Sequence, residues 1–367
     1  MKKDYDFSGL TENFDAYLKK GVLPYYDFAV MKDGECVYRH MNGFTDIENK
    51  IRPDGKELFN LYSCSKLITC VAALMLWEEG KYNFDDRLSD YMPEFEKMSV
   101  LTDNGLIGAL NPITIRHLFT MTAGFSYDVF SPSLKKCFED TNGACPTVKA
   151  IEYLSKEPLL FEPGTRWEYS LCHDVLAALV EVLSGERFAR FVNDRIFVPL
   201  KMTDSYFNGE FVDKERLIKQ YRLDPETKKL CEVDKGNVLQ IGKNYDSGGA
   251  GCISTVDDYL KFEEALRTGA LLKSDTLKLL TTNALTEKQA ETYWLKDNYG
   301  YGFGQRCPKD DLRSDFGWDG MAGSYYAIDI ENGISVFFGT HVIGCVEFNM
   351  TRPEIIQAVK DCLLLNK

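Results

Sequence analysis

The 367-residue sequence is poor in histidine: it has four, set far apart, and its eleven cysteines include no Cys-x-x-Cys pair. Zinc-type ligand spacing is therefore missing. The cysteine count is odd, and Cys70, Cys252 and Cys362 sit in apolar runs. That pattern fits reduced, buried thiols of a cytosolic protein and not a disulfide framework. Positive charge is scarce as well, with 43 Lys and Arg against 56 Asp and Glu, a net charge of -13. Without a basic stripe to neutralise phosphates, a nucleic-acid partner is excluded and binding to an anionic membrane surface is disfavoured. No apolar run reaches the length of a membrane span, and Met1-Lys2-Lys3-Asp4-Tyr5 is not followed by the apolar core of a signal peptide. A cytoplasmic location is the expectation.

What is present is an ordinary globular composition, 44% hydrophobic and 13% aromatic, enough for one large domain or two intimate ones. Residues 10–20 alternate at helical spacing and stop at Gly21. Residues 27–31 and 36–40 read as a hairpin around Lys32-Asp33-Gly34-Glu35. The other chain end mirrors this order: strands at 324–330 and 334–340 around Glu331-Asn332-Gly333, then an amphipathic helix over 352–365. One antiparallel sheet built from both ends, with the two terminal helices on one face, is the expected frame. The middle reads as helices over 63–79, 113–120, 147–154, 173–183 and 188–197. A strand-turn-strand insertion is expected within 208–245, and a helix over 257–267 capped by Ser254 or Thr255. The fold class is α+β. The expected division is a sheet domain of 1–62 with 245–367 and an inserted, mainly helical domain of 63–244, the site lying at the seam.

The chemistry concentrates in Phe59-Asn60-Leu61-Tyr62-Ser63-Cys64-Ser65-Lys66. Ser63 and Lys66, three residues apart, share one face of a helix start, where free N–H groups favour negative charge. An activated serine nucleophile needs an amine so placed. The same spacing recurs at Ser133 and Lys136, after Pro132 in a polar stretch, and that copy reads as surface loop. Cys172-His173 is no dyad, because adjacent helical residues point about 100° apart. Gly300, Gly302 and Gly304 lack the strand and helix that a phosphate loop requires and read as a tightly packed strand. Nothing calls for a metal or cofactor.

Taken with Ile113 to Gly124, Phe161 to Ser170, Gly248 to Thr255 and Phe316-Gly317-Trp318-Asp319-Gly320, the chain resembles the serine β-lactamase and penicillin-binding-protein superfamily. The nearest branch is the class C-like serine hydrolases and family VIII carboxylesterases. No Gly-x-Ser-x-Gly is present, so an α/β-hydrolase is not supported. The resemblance implies a β-lactamase/transpeptidase-like fold, with Ser63 as nucleophile, Lys66 as its amine and Tyr169 as the phenol that moves the serine proton. Lys66 is expected to push Tyr169 toward phenolate. It implies an oxyanion hole from the backbone N–H groups of Ser63 and Met321. Gly320 would let the strand approach the substrate, and residues 122–127 would line the pocket.

Two positions depart from the family. Leu171 stands where an Asn would contact the lysine and the substrate amide, and Leu can do neither. His173 or Asp174 is available to compensate. Trp318 stands where a Lys would meet a substrate carboxylate, and it offers an apolar wall instead. Asp319 should point away from it along the strand. The expected substrate-binding residues are thus Trp318, Gly320 and Leu171. The expected activity is hydrolysis of a small neutral or apolar ester through an acyl-enzyme. A β-lactamase or D,D-peptidase-like amidase is the alternative, and a non-catalytic penicillin-binding or sensing module the second.

Overall fold

The computed structural model describes residues 5–364 except 210, 211, 235 and 311. Leu365, the last residue of the expected C-terminal helix, lies outside them. The central sheet has seven antiparallel strands. Their order is Gly300–Tyr301, Arg306–Cys307, Asp315–Asp319, Tyr325–Asp329, Ile334–Gly339, Tyr25–Lys32 and Glu35–Gly43. The two expected hairpins therefore meet: Tyr25–Lys32 pairs with Ile334–Gly339, with Phe28 opposite Phe338.

Period-two alternation sorts the side chains of these strands. Tyr26, Phe28 and Val30 join Val336 and Phe338 on one face, beneath Phe14 of the Ser8–Lys19 helix and Ile356 and Val359 of the Ile355–Leu364 helix. Phe14 alone lies 4.9 Å from Phe338 and 5.1 Å from Phe28, ring to ring. The terminal helices thus cover that face, as their sequence predicts. Tyr25, Ala29, Tyr326 and Phe337 face the other way and join the main core, which continues without a break into the helices of the middle segment. The buried helices Ser65–Glu78 and Cys172–Ser184 pack against each other there.

Two short sheets stitch the middle to the ends. Phe59–Asn60 pairs with Cys252–Ser254, which pairs with Tyr206–Phe207. Gln220–Leu223 pairs with Leu230–Val233, the expected insertion, and in parallel with Val342–Ile343. Ser99–Thr102 and Gly105–Gly108 form a separate hairpin.

Two expectations need correction. Ser133 and Lys136 lie not in a loop but in the Pro132–Asp140 helix, whose N-cap Ser131 accepts a bond from the Leu134 N–H. Lys136 reaches outward to Asp140 at 3.0 Å. The glycine run is strand only at Gly300–Tyr301; it then bends, with Gly304 at φ +94°. A side chain at Gly304 would strike Cys70 Sγ at 2.4 Å, so the bend is tightly packed, though not as a strand. Among the described residues, no helix is long and apolar enough to cross a membrane.

Candidate active site

Ser63 lies in a 3-10 turn, Tyr62–Cys64, that feeds the Ser65–Glu78 helix. Tyr62 has φ +47°, a conformation that costs a non-glycine residue energy. Its buried ring is clasped by Ala250, Ala322 and Ile343, and its hydroxyl donates to Gln220 at 2.7 Å. Those contacts hold the turn so that Ser63 tops the helix.

The structure brings Ser63, Lys66 and Tyr169 together. Lys66 is fully buried, and its Nζ lies 3.2 Å from Ser63 Oγ, 3.2 Å from the Tyr127 hydroxyl and 2.7 Å from the Gly249 carbonyl oxygen. The Tyr169 hydroxyl donates to Ser63 Oγ at 2.6 Å. Burial draws Lys66 down to about 8, because the ammonium loses its water; the Asp174 carboxylate opposes the fall. The ammonium donates to Ser63, Tyr127 and Gly249; once deprotonated, above about pH 8, the amine keeps two N–H groups for Gly249 and Tyr127 and has a lone pair with which to take the Ser63 proton.

Tyr169 departs from the expected phenolate. Burial raises its phenol well above the ordinary range, Tyr127 adds to the rise, and the bonds with Ser63 and Trp318 only oppose it. Lys66 sits over the face of its ring, 4.7 Å from the centroid, and hydrogen-bonds Tyr127 instead. Tyr169 is therefore a neutral phenol, equipped to give a proton.

The Asp315–Asp319 strand packs against the nucleophile turn. Trp318 is 4% exposed, stacks on Tyr169 at 5.7 Å, and donates its Nε1–H to the Tyr169 oxygen at 3.3 Å. A Cβ on Gly320 would lie 2.5 Å from the Leu61 carbonyl oxygen. The glycine thus serves a close approach of two backbones, strand to nucleophile turn. Arg352 anchors the end of this strand: it donates to the Gly320 carbonyl at 2.8 Å and ion-pairs with Asp319. Asp319 is engaged away from Trp318, and the Arg352 charge is matched within the protein. Met321 comes next, in the turn closed by the Gly323 N–H to Gly320 bond. Leu171 is 2% exposed, a member of the main core, and its N–H bonds to Ser126. It is packed into that core and offers no polar group to the site.

Four further features complete the site, and of these the sequence singles out only Tyr127, within the expected pocket lining, and Asp174, as a candidate to compensate for Leu171. Tyr127 lies parallel to Tyr169, 5.2 Å away at 4°. Asp174, 1% exposed, accepts from Tyr245 at 2.8 Å and Ser247 at 2.6 Å. A Cβ on Gly249 would touch both the Asp174 carboxylate, at 2.5 Å, and Lys66 Nζ, at 3.2 Å, so that glycine separates the two charges. Trp294 is the fourth, tilted over Tyr169 at 5.3 Å. The Gly248-Gly249 pair is visible in the sequence as a block, but its contacts are not. His173 faces Cys70 at 3.7 Å, buried and held neutral by burial, apart from Ser63.

Residues 10–342 match the family described as Beta-lactamase. The chain is 29% identical to the esterase EstB of Burkholderia gladioli, over 89% of this chain and 88% of that protein. It superposes on EstCE1, a hydrolase with promiscuous acyltransferase activity, with a TM-score of 0.80 and 25% identity, covering 95% of this chain and 97% of that one. Simvastatin synthase LovD from Aspergillus terreus shares the fold, with a TM-score of 0.79 at 23% identity over 96% of this chain and 98% of its own. This chain belongs to the β-lactamase family.

Proposed function

We propose that the protein is a serine hydrolase that cleaves neutral or apolar carboxylic esters through an acyl-enzyme. The observation that carries the reading is Ser63 Oγ held between a buried amine and a neutral phenol, at 3.2 and 2.6 Å. In the first step neutral Lys66 takes the Ser63 proton as Oγ attacks the ester carbonyl. The oxyanion is held by the N–H groups of Ser63 and Met321. Tyr169 gives its proton to the leaving alcohol oxygen as that C–O bond breaks, and the proton held by the Lys66 ammonium restores the phenol across Ser63 Oγ, which both groups contact. Water then attacks the acyl-serine with the same groups, releasing the acid.

The identity of the flanking residues supports esters over anionic amides. Leu171 offers no amide partner, and Trp318 no charge for a carboxylate. The nearby Arg352 is already matched by Asp319. A penicillin or a D-Ala peptide would bring a carboxylate to a wall with no cation offered to it. The esterase name of EstB points the same way. Hydrolysis of 4-nitrophenyl butyrate by the native protein and by Ser63→Ala tests the proposal. Loss of the nucleophile should lower kcat by at least about a thousandfold. Equal rates in the two proteins would sink it.

A further inference from the structure

Trp294 is 56% exposed, although it lies in a cluster of aromatic rings. Its ring centroid is 4.6 Å from Trp167, 5.3 Å from Tyr169 and 6.1 Å from Trp318. An indole left half in water keeps a large apolar face available for another flat group. The segment that carries it is pinned to the segment that carries Tyr169. Thr292 Oγ1 donates to the Trp167 carbonyl at 2.7 Å and accepts the Trp167 N–H at 3.1 Å. Gln289 donates to the Gly164 carbonyl at 2.8 Å. Trp294 is thus held in place beside the reacting groups.

The direction of proton transfer says which half of the ester lies there. Tyr169 protonates the oxygen that leaves, so the leaving alcohol must start within hydrogen-bond reach of the Tyr169 hydroxyl. That hydroxyl already touches Ser63 and the Trp318 indole N–H. The rings packed around Tyr169 are Tyr127, Trp167, Trp318 and Trp294, and of the three tryptophans only Trp294 is exposed. We propose that Trp294, with Trp318, forms the subsite for the leaving alcohol, and that this alcohol carries a flat, apolar ring system. The inference rests on the ester-hydrolase reading and adds to it which half of the substrate sets specificity.

Three esters separate the alcohol side from the acid side. Methyl butyrate, 2-naphthylmethyl butyrate and methyl 2-naphthylacetate place the ring on neither side, on the alcohol and on the acid. The native protein should show a higher kcat/KM for 2-naphthylmethyl butyrate than for methyl butyrate. Trp294→Ala should shrink that ratio about tenfold or more. Trp294→Phe, which keeps a flat ring, should restore most of it. With the native protein, 2-naphthylmethanol should inhibit competitively and the neutral 2-naphthylacetamide should do so far more weakly, a readout independent of any variant's folding. Equal losses on both butyrates, or a larger loss on methyl 2-naphthylacetate, would overturn the assignment. Activity that survives Ser63→Ala would instead reject the underlying hydrolase reading.

Discussion

Lys66 carries the most consequential balance in the molecule. Its burial disfavours the ammonium, and Asp174 partly restores it, leaving the group at about 8. The ionisable groups around it do not compete. Burial raises Cys64, Cys70 and Tyr127 and moves Cys172 up to about 11, while it depresses His173. Lys66 is thus the group whose charge changes across the working range. Since its neutral form is the base, kcat/KM for a neutral ester should rise with pH and reach half its plateau near pH 8. Asp174→Asn removes an anion that favours the ammonium, so the amine becomes easier to deprotonate and the rising limb should move to lower pH. Tyr245 and Ser247, which donate to Asp174, can donate equally to the Asn oxygen, which helps the variant to fold. A limb that stays in place, measured as kcat/KM between about pH 5 and 10, would detach Asp174 from the mechanism.

At the scale of elements, the site depends on how closely the loop 247–251 lies on the Cys172–Ser184 helix. A Cβ on Gly248 would fall 2.2 Å from the His173 carbonyl oxygen and 2.7 Å from the Ala177 methyl. Backbone cannot yield there as a flexible side chain would. Gly248→Ala should therefore cost about 1–3 kcal/mol of stability. It should also lower activity by shifting the Gly249 carbonyl that holds Lys66. Thermal unfolding and ester turnover of one preparation check both, and an unchanged melting point would show that the loop has room to give. Elements with a strong period are legible in the sequence: both hairpins and the terminal helices lie where alternation and turn residues place them. The Pro132–Asp140 helix is hidden because its start signal is brief. Ser131 is an N-cap and Pro132 the first-turn proline, a pair easily taken for a turn.

Over the whole molecule, both chain ends make one sheet, and its inner face shares a core with the middle helices. The site sits where these parts meet, which explains what can be read in advance. Ser63 and Lys66 are neighbours in sequence, and Tyr169 and Trp318 lie in recognisable blocks, so their residue types and spacing expose them. Tyr127 and Asp174 are legible only through their neighbours in recognisable blocks and Trp294 not at all, because only the packing of distant elements brings them to Lys66 and Tyr169. Everything proposed for this site requires that Ser63 become acylated. Intact-mass analysis of the protein during turnover of a slow aryl ester examines that step itself. A transient gain of one acyl mass is expected, mapped by peptide analysis to Ser63 and absent from Ser63→Ala. Turnover with no acyl mass on Ser63, or with the same adduct on the Ser63→Ala protein, would contradict it.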